Sequence, residues 1–500
     1  MTFWSSRPFN ESFIVLSGAL VLSSFLLSVD AYAEDPPVVT QHQAQISGRL
    51  LRYTAEVGRI AICDVETGEP HGYMFYTAYR LPLASHPRPV TFVWNGGPGA
   101  DSSLLHFSVV GPKLAQDSGL VDNPDSWLPV TDIVMVDPVG TGFSRPAKSE
   151  YEVEFYGTIG DVDSVTEFVR AWRLLHAAEH APVFLAGESW GAGRAAHAAY
   201  ALEKRGINVN GILLISGGWG LNKEYMSAQL RVALPVVDMA SAALYHGKTA
   251  PDLGKDRAGV REATEKWVRE IYAPALERIE SLSEAERSAI VGQLSRFTGL
   301  GPGQIDRKTL TISPRQFRAG LLKYQNKEPF VFDLRRTNAQ ESNDAPAILH
   351  YFRYELGYHV TLPYIGLEKL DDGFAPSGTY PDPVNARWNY ATAKVTPEEV
   401  KAAIEDASRR GEGPPRLGPP LPGTEDALAI NPQMKVLVAA GIYDSFLPCA
   451  IGDEIEHELP AKLRAAIDFK CYVGGHAMYK DDATRTEFSR DVKAWIERSR

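Results

Sequence analysis

The chain has 500 residues, with 51 Lys and Arg against 62 Asp and Glu, and a formal net charge of −11. Its apolar fraction of 44% is ordinary for a globular protein and argues against disorder as the dominant state. An acidic chain without a strong basic stripe repels phosphate backbones, so we expect no nucleic-acid partner. The composition therefore indicates a large globular protein, and we expect an enzyme.

The N-terminus carries the pattern of an export signal. An apolar run from Phe13 to Val29 follows Arg7 and precedes the small-x-small sequence Ala31-Tyr32-Ala33. We expect export to the periplasm or the medium, with cleavage after Ala33 and no stable membrane insertion afterwards. An uncleaved N-terminal anchor is the alternative, because a run of about 17 residues is at the short limit of a bilayer span.

The three cysteines are Cys63, Cys449 and Cys471. A bridge between Cys449 and Cys471 is compatible with export, but sequence alone does not give the distance between them. We instead expect small buried side chains at all three positions. No CxxC or HExxH spacing occurs in the sequence, so we predict neither a metal site nor a cofactor.

The predicted strands fall into two groups. Residues 50–80 alternate apolar and polar side chains around a Glu66-Thr67-Gly68 turn, which predicts antiparallel strands. Later runs are short, apolar and without alternation, which is typical of strands buried on both faces of a parallel sheet. These runs are Val90–Trp94, Ile133–Val136, Val183–Ala186, Ile212–Ile215 and Val436–Ala439. Helical periods separate the runs, so we predict an α/β fold with a mostly parallel central sheet.

The stretch from residue 222 to residue 430 has a helical character. Ser283 with Glu286, and Thr396 with Glu399, have the spacing of capping boxes that begin helices. Residues 411–423 include nine Gly or Pro among 13 residues, which predicts an exposed loop. We expect a largely helical cap at 222–430, inserted between two core segments at 34–221 and 431–500.

A nucleophilic serine is the strongest local signal in the chain. Gly187-Glu188-Ser189-Trp190-Gly191 follows a predicted strand and precedes an Ala-rich helix. A G-x-S-x-G sequence at such a junction is typical of a nucleophile elbow, whose tight turn leaves no room for side chains beside the serine. The helix N-terminus behind Ser189 also favours developing negative charge.

A nucleophilic serine needs a base and a group that orients the base. In this architecture an acid and then a histidine follow the serine, each on a loop after a strand. Asp444 follows the predicted strand at 435–440, and His476 follows the predicted strand at 467–473 in a glycine-rich loop. The sequence therefore predicts a Ser189–Asp444–His476 triad.

Two other residues meet only part of these conditions. His457 also lies downstream of Asp444, but in a charged, helical setting. Asp137 ends a strand but precedes the serine, which is the wrong order for the acid of the triad. We expect Asp137 to have a structural hydrogen-bonding role in the turn that follows it.

The segment Asn95-Gly96-Gly97-Pro98-Gly99 follows the predicted strand Val90–Trp94. Hydrolases of this architecture place their second oxyanion donor at this point, and glycines let the backbone approach a substrate. A simple glycine turn is the alternative. A phosphate-binding loop is excluded because no Gly-Lys-Ser/Thr sequence follows.

Separated motifs in the same order resemble the serine carboxypeptidase family. They are Asn95–Gly99, Asn123–Trp127, Asp137–Ser144, Gly187–Gly191 and Gly475-His476. The resemblance runs from about residue 92 to residue 217 and again from residue 435 to the C-terminus. It implies an α/β-hydrolase core, a variable cap, peptide substrates with a free C-terminus and, for this chain, an exported member of bacterial type.

The resemblance also implies catalytic roles. In this resemblance Ser189 would be the nucleophile, His476 the general base and Asp444 its orienting acid. The backbone N–H groups of Gly97 and Trp190 would form the oxyanion hole.

Three further residues are implied to recognise the terminal carboxylate of the substrate. Asn95 and Glu188 hydrogen-bond it, assisted by the N–H group of Gly96. Because two carboxyl groups share a hydrogen bond only when one is protonated, Glu188 predicts a preference for acidic conditions.

The chain departs from the family pattern at three positions. Val93 stands where the family has tryptophan, with Trp94 one residue later, and Ala100 replaces a cysteine that forms a disulfide in eukaryotic members. Val109 replaces the second glutamate of the carboxylate site. An esterase or acyltransferase on the same scaffold is therefore the alternative function, and a non-catalytic binding protein is a third.

Overall fold

The computed structural model describes residues 36–82, 87–338, 344–368, 384–393, 395–410 and 417–500. The export signal predicted at residues 1–33 lies outside the described residues, as does the first part of the Gly/Pro-rich loop, 411–416. Among the helices described, none has the length and apolar character needed to cross a bilayer.

Most strands of the described chain join one ten-stranded sheet. In chain order the strands are β1 (Val38–Ile46), β2 (Arg49–Cys63), β3 (Pro70–Arg80), β4 (Val90–Trp94), β5 (Lys113–Gln116), β6 (Gly119–Asp122), β7 (Asp132–Val136), β8 (Arg145–Pro146), β9 (Val183–Glu188), β10 (Gly211–Ile215), β11 (Lys435–Gly441) and β12 (Ile467–Tyr472). The order across the sheet is β1-β2-β3-β7-β4-β9-β10-β11-β12, with β8 beside β3. β5 and β6 pair as a separate hairpin.

The helices lie between these strands and after the last of them. They are α1 (Ser103–Leu105), α2 (Glu152–Phe155), α3 (Thr158–Leu175), α4 (Trp190–Lys204), α5 (Ala228–Ala233), α6 (Pro235–Tyr245), α7 (Arg257–Trp267), α8 (Ala273–Glu277), α9 (Glu284–Thr298), α10 (Pro314–Leu321), α11 (Ala345–His350), α12 (Pro397–Arg410), α13 (Thr424–Ile430), α14 (Cys449–Glu458), α15 (Ala461–Arg464) and α16 (Asp482–Ser499). Short π-helical stretches occur at His106–Val110, Val268–Tyr272 and Tyr351–Glu355, and the 3₁₀ turns include Met478–Lys480.

The sheet has an antiparallel part and a parallel part. Strands β1, β2, β3 and β7 pair antiparallel in that order. From β7 through β4, β9, β10 and β11 to β12 every pairing is parallel. The predicted fold class is therefore confirmed: an α/β-hydrolase core with a mostly parallel sheet and antiparallel N-terminal strands. β1 was not predicted, because it lies at the edge of the sheet and most of its side chains are partly or fully exposed.

The central strands contribute to two separate cores, since alternate side chains of a strand point to opposite faces. On one face, Phe92 and Leu185 pack in the same cluster as Trp172 of α3. On the other face, Phe184 packs against Trp495 of α16, with ring centroids 5.4 Å apart. Burial on both faces explains why these strands are unbroken apolar runs in the sequence.

In the described residues between β10 and β11 the chain forms helices and turns without a named strand. Both predicted capping boxes are present. The Ser283 hydroxyl accepts the N–H of Glu286 at 3.3 Å, and the Glu286 carboxylate accepts the N–H of Ser283 at 2.8 Å. Thr396 and Glu399 make the equivalent pair at 3.2 and 2.7 Å. The boundaries of an inserted cap at 222–430 stay a prediction.

Cys449, the first residue of α14, forms a disulfide with Cys471 of β12. The prediction of small buried thiols was therefore wrong for this pair, and Cys63 is exposed. The chain leaves β11, turns through α14 and returns as the neighbouring strand β12, which brings the two Cα atoms to 5.9 Å. Tertiary packing of this kind has no signature in cysteine spacing.

Removing this disulfide should lower the free energy of unfolding by about 3 kcal/mol, because a bridge across a loop of about this length restricts the unfolded chain. The two cysteines are 22 positions apart in the sequence, and this separation sets the length of the loop that the bridge closes. Urea unfolding of a Cys449→Ala/Cys471→Ala variant measures the loss. A Cys63→Ala variant, at an exposed position outside the bridge, is the control for cysteine removal. Unfolding midpoints that coincide for the bridge variant and the wild type would refute the expectation.

Candidate active site

Ser189 lies in the tight turn between β9 and α4. Its φ of 58° and ψ of −121° are a strained conformation for a residue other than glycine. The Ser189 N–H donates to the carbonyl of Ile215 at 2.8 Å, and the Ser189 carbonyl accepts the N–H of Ala192 at 3.0 Å. The neighbouring strand and the first turn of α4 therefore hold the strained turn, and Ser189 lines a cavity of about 380 Å³.

Glycines are required where this turn meets its neighbours. A Cβ atom on Gly187 would lie 1.9 Å from the carbonyl oxygen of Gly191. A Cβ atom on Gly96 would lie 2.5 Å from the backbone nitrogen of Trp190. The expectation that the turn has no room for side chains is confirmed, and the Asn95–Gly99 loop runs directly against the start of α4.

His476 and Asp444 are joined by a hydrogen bond. The distance between His476 Nδ1 and Asp444 Oδ2 is 2.6 Å, and both side chains are buried. Because a carboxylate only accepts, Nδ1 carries the proton and donates it. The second oxygen of Asp444 accepts the N–H of Phe446 at 2.9 Å, which fixes the orientation of the carboxylate.

The His476 imidazole is held from several sides. The backbone N–H of His476 donates to the carbonyl of Phe332 at 2.6 Å, and the Ser216 hydroxyl donates to the carbonyl of His476 at 2.6 Å. The rings of Phe332 and Phe446 lie 5.0 and 6.0 Å from the imidazole, measured between centroids. Sequence reasoning missed these residues, because Phe332 and Phe446 lie in turns without a motif and Ser216 merely follows a strand.

Burial lowers the pKa of the His476 imidazole, but the hydrogen bond and the charge of Asp444, together with the charge of Glu188, outweigh burial. The pKa of His476 therefore lies above its ordinary value of 6.5. The Nε2 atom is buried and has no hydrogen-bond partner among the described residues. Ser189 and His476 line the same cavity, although no hydrogen bond joins Ser189 Oγ to Nε2 in the described structure.

The predicted oxyanion donors lie on the two loops that meet at this cavity. Gly97 follows Gly96 on the cavity wall, and Trp190 is the first residue of α4. In the described part of the chain neither backbone N–H donates to a protein acceptor. Both groups are thus free to donate to an oxygen beside Ser189.

Asn95 and Glu188 form a buried polar pair on the wall of the same cavity. The Asn95 amide donates directly to the Glu188 carboxyl group. Tyr479 donates its hydroxyl proton to the other oxygen of Glu188 at 2.7 Å, and Leu105 donates its N–H to Asn95 Oδ1 at 3.0 Å. Tyr479 was missed by sequence reasoning, although its place three residues after His476 is a usable signal.

Burial raises the pKa of Glu188, and the charge of His476 and the Tyr479 hydrogen bond offset only part of that rise. The carboxyl group therefore keeps its proton to a higher pH than an exposed glutamate does. In the protonated state it can donate a hydrogen bond as well as accept one.

Two side chains from the core hold the Asn95 loop against the serine turn. Buried Arg194 of α4 donates to the Asn95 carbonyl at 2.6 Å and to Asp161 at 2.8 Å. The indole of Trp94 donates to the Gly191 carbonyl at 2.9 Å. Arg194 was not predicted from the sequence, because a helical arginine carries no motif.

Asp137 supports the same loop through Ser102. Its carboxylate accepts the Ser102 N–H at 2.8 Å, and the Ser102 hydroxyl accepts the Asn95 N–H at 3.3 Å. The backbone carbonyl of Asp137 accepts a hydrogen bond from the Ser144 hydroxyl at 2.7 Å. Burial raises the pKa of Asp137 to about 7. Asp137 therefore has a structural hydrogen-bonding role, but its carboxylate bonds Ser102 and not the turn at 138–142 where the sequence predicted that role.

The structure thus gathers the residues predicted for chemistry and recognition at one place. Those that line the cavity are Asn95, Gly96, Gly97, Glu188, Ser189 and His476. Asp444 lies behind His476, and Trp190 begins the helix beside the cavity. The stretch between β10 and β11 also contributes to the cavity lining, with Phe330, Phe332, Asp333, Arg335 and Arg336.

Residues 64–235 match the family model of the serine carboxypeptidases. The pheromone-processing carboxypeptidase kex1 of Aspergillus niger is 32% identical over 236 residues, which cover 43% of this chain and 35% of that protein. KEX1 of Sordaria macrospora is 32% identical over 245 residues, which cover 47% of this chain and 35% of that protein. The chain therefore spans about a third of the length of these curated relatives.

Two solved structures align with most of the chain at low similarity. A thermostable carboxyl esterase from Bacillus coagulans has 13% identity and a TM-score of 0.34, covering 88% of this chain and 98% of its own. A haloalkane dehalogenase from Bradyrhizobium elkanii has 13% identity and a TM-score of 0.32, covering 92% and 98%. The strand order of the sheet, rather than these likenesses, defines the fold.

The matched family region contains Asn95, Glu188 and Ser189, and it ends before Asp444 and His476. The roles of the last two residues therefore depend on their geometry. In the region that carries the nucleophile, the predicted resemblance is confirmed, and the chain is similar to the serine carboxypeptidases.

Proposed function

We propose that the protein is an exported serine carboxypeptidase, which releases C-terminal residues from peptides through an acyl-enzyme. One observation carries the proposal: a buried Asn95–Glu188 pair lies on the same cavity wall as a strained Ser189 and a His476 that is hydrogen-bonded to Asp444. A buried carboxyl group that keeps its proton can donate a hydrogen bond to a carboxylate bound beside the nucleophile. A carboxypeptidase needs such a group to recognise the end of a chain.

In the acylation step Ser189 Oγ attacks the carbonyl carbon of the last peptide bond, and His476 Nε2 takes the serine proton. Asp444 stabilises the imidazolium that forms and keeps the proton on Nδ1. The N–H groups of Gly97 and Trp190 donate to the oxyanion. His476 then gives its proton to the leaving amine, and the C–N bond breaks. In the second half of the reaction His476 deprotonates a water that attacks the acyl carbon, and it then returns the proton to Ser189 Oγ as the ester bond breaks.

The terminal carboxylate of the substrate binds beside this centre. The proposal assigns it to Asn95 and to the protonated Glu188, with the Gly96 N–H as a further donor. Tyr479 orients Glu188 by donating to the oxygen that faces away from Asn95. Recognition of this carboxylate places the last peptide bond, rather than an internal one, at Ser189.

Glu188→Gln should reduce kcat/KM for a blocked dipeptide by about 10-fold or more and leave its C-terminal amide almost unaffected, because a hydrogen bond to a charged group is removed or weakened. In the wild type the ratio of acid to amide hydrolysis should rise as pH falls through the raised pKa of Glu188. Hydrolysis of both substrates should slow as pH falls, because His476 becomes protonated. This loss cancels in the acid-to-amide ratio, so the pH dependence of the ratio reports the protonation of Glu188. In the variant the ratio should be flat with pH.

Steady-state kinetics on the acid and the amide at pH values from 5 to 8 test this prediction. An exposed glutamate, Glu262, provides a matched Glu→Gln control. An equal fall in kcat/KM for acid and amide in Glu188→Gln would show that Glu188 supports the nucleophile and does not bind the carboxylate of the substrate.

Further parts of the proposal concern the whole chain. The leader pattern at residues 1–33 supports export and cleavage near Ala33, and we propose a bacterial-type enzyme of this kind. Relatives named as pheromone-processing carboxypeptidases support a peptide substrate. We propose that residues 222–430 form the cap, since Phe332 and Arg336 of this stretch line the cavity.

An esterase or acyltransferase is the second candidate, and one observation favours it. Val109, where the resemblance predicts a second glutamate, is fully buried in the apolar core. A preference for simple esters over peptides at neutral pH would support this alternative over the carboxypeptidase.

A further inference from the structure

Lys480 is a charged residue of the cavity that the proposed reaction leaves without a role. It ends the 3₁₀ turn Met478–Lys480, one residue after the tyrosine that holds Glu188. Its side chain is half-buried and lines the same cavity as Glu188 and Ser189. The charge of Lys480 also works against the burial that raises the pKa of Glu188, so its ammonium group lies near that carboxyl group.

The other cations of this wall have acidic partners. Arg335 makes two hydrogen bonds to Asp333, at 2.9 and 2.7 Å, and a third to Asp481 at 2.7 Å. Arg336 donates to Asp333 at 3.2 Å. The backbone N–H of Lys480 donates to the carbonyl of Ala477 at 3.0 Å, but its ammonium group makes no hydrogen bond or ion pair with any residue in the described part of the chain. It is thus the cavity cation whose charge is left uncompensated by a direct contact.

The surroundings of Lys480 favour an anion from outside the protein. Burial lowers the pKa of its ammonium group, while the charges of Asp344 and Glu188 raise it and that of Arg336 lowers it further. Glu188 itself is bonded to Asn95 and Tyr479, so its oxygens already have donors. A half-buried ammonium without a partner is costly, and a bound carboxylate would supply the missing acceptor.

The absence of a second glutamate points the same way. The position that should carry it, Val109, belongs to the apolar core and contributes no polar atom to the cavity. Asp333 and Asp481, which also line the cavity, are both bonded to Arg335, so among the described lining residues the charged groups left without an ionic partner are the carboxyl group of Glu188 and the ammonium group of Lys480. Such a pair can bind a carboxylate without requiring two protonated acids.

We propose that Lys480 donates a charge-assisted hydrogen bond to the terminal carboxylate of the substrate, beside Asn95 and Glu188. The inference rests on the proposed carboxypeptidase function and adds the residue that supplies the positive charge. Lys480 is a binding residue in this scheme, and it takes no part in proton transfer.

Steady-state kinetics of Lys480→Met on a blocked dipeptide and on its C-terminal amide test the inference. We expect KM for the free acid to rise about 10-fold or more, with kcat within about 2-fold, because a charged hydrogen bond to the bound substrate is lost. The amide should be hydrolysed as in the wild type. Lys480→Arg should recover part of the affinity for the acid. The control variant Lys462→Met, at an exposed position, should hydrolyse both substrates as the wild type does.

The outcomes separate the inference from the function beneath it. A wild type that prefers the acid, combined with an unchanged acid-to-amide ratio in Lys480→Met, overturns the role of Lys480 and leaves the carboxypeptidase intact. A loss confined to dipeptides ending in Glu or Asp shows that Lys480 binds an acidic side chain, which also overturns it. If the wild type hydrolyses acid and amide at equal rates, the proposed function and the inference are both refuted. Lys480→Gln replaces the Met variant if thermal unfolding shows that the latter is not folded.

Discussion

Ser189→Ala should lower kcat at least about 10⁴-fold on every substrate, because Ser189 is the only serine, threonine or cysteine among the described residues that line the cavity. Residual hydrolysis would come from the oxyanion donors and from binding alone. The protein should still fold, since the change removes one oxygen from a half-buried side chain that makes no side-chain hydrogen bond in the described residues. Alanine keeps the same positive φ, so the strain of the turn is retained.

Activity measurements and thermal unfolding of the same preparation check both halves of this prediction. An exposed serine of α9, Ser288, is the matched control, and Ser288→Ala should hydrolyse substrate at the wild-type rate. A phosphonofluoridate reagent should label the wild type at Ser189 and leave Ser189→Ala unlabelled. Activity of Ser189→Ala above about one per cent of wild type would contradict the assignment of the nucleophile.

Asp444→Asn should lower kcat by about 10⁴-fold. Both oxygens of Asp444 accept hydrogen bonds, one from His476 Nδ1 at 2.6 Å and one from the Phe446 N–H at 2.9 Å. An asparagine cannot accept at both positions, because one of its two polar atoms is a donor. If the amide nitrogen faces His476, the imidazole carries its proton on Nε2 and cannot take the proton of Ser189.

The pH profile gives this variant a second readout. The hydrogen bond and charge of Asp444 contribute to the raised pKa of His476, so their loss should move the acidic limb of kcat/KM to lower pH. Asp468→Asn, at an exposed position of β12, should leave the profile unchanged. A variant with near wild-type kcat would show that Asp444 does not orient the base.

Residues that follow local rules were predictable from the sequence. Runs such as Val183–Ala186 in β9 are apolar because both faces of the strand are buried, and a single sequence shows this pattern. Ser189, Asp444 and His476 could be chosen because each follows a predicted strand and their chain order is restricted by the fold. The geometry of the Asp444–His476 pair agrees with that choice, although the catalytic role of the triad stays a proposal.

The contacts that support the site were not predictable in this way. Arg194 donates to the Asn95 carbonyl although the two residues are 99 positions apart in the sequence. Ser216 donates to the carbonyl of His476 across 260 positions. The Cys449–Cys471 bridge likewise depends on how α14 returns to the sheet. Each of these contacts arises from packing between elements, and the residue types involved have many other uses in proteins.

The most direct test of the account follows the products of one peptide in two forms. The purified protein is incubated with a peptide of about ten residues bearing a free C-terminus and with the same peptide amidated, and both are followed by mass spectrometry. The account predicts stepwise loss of single residues from the C-terminus of the free acid, slow or absent loss from the amide, and neither with Ser189→Ala. Equal shortening of acid and amide, or cleavage at internal bonds, would contradict it.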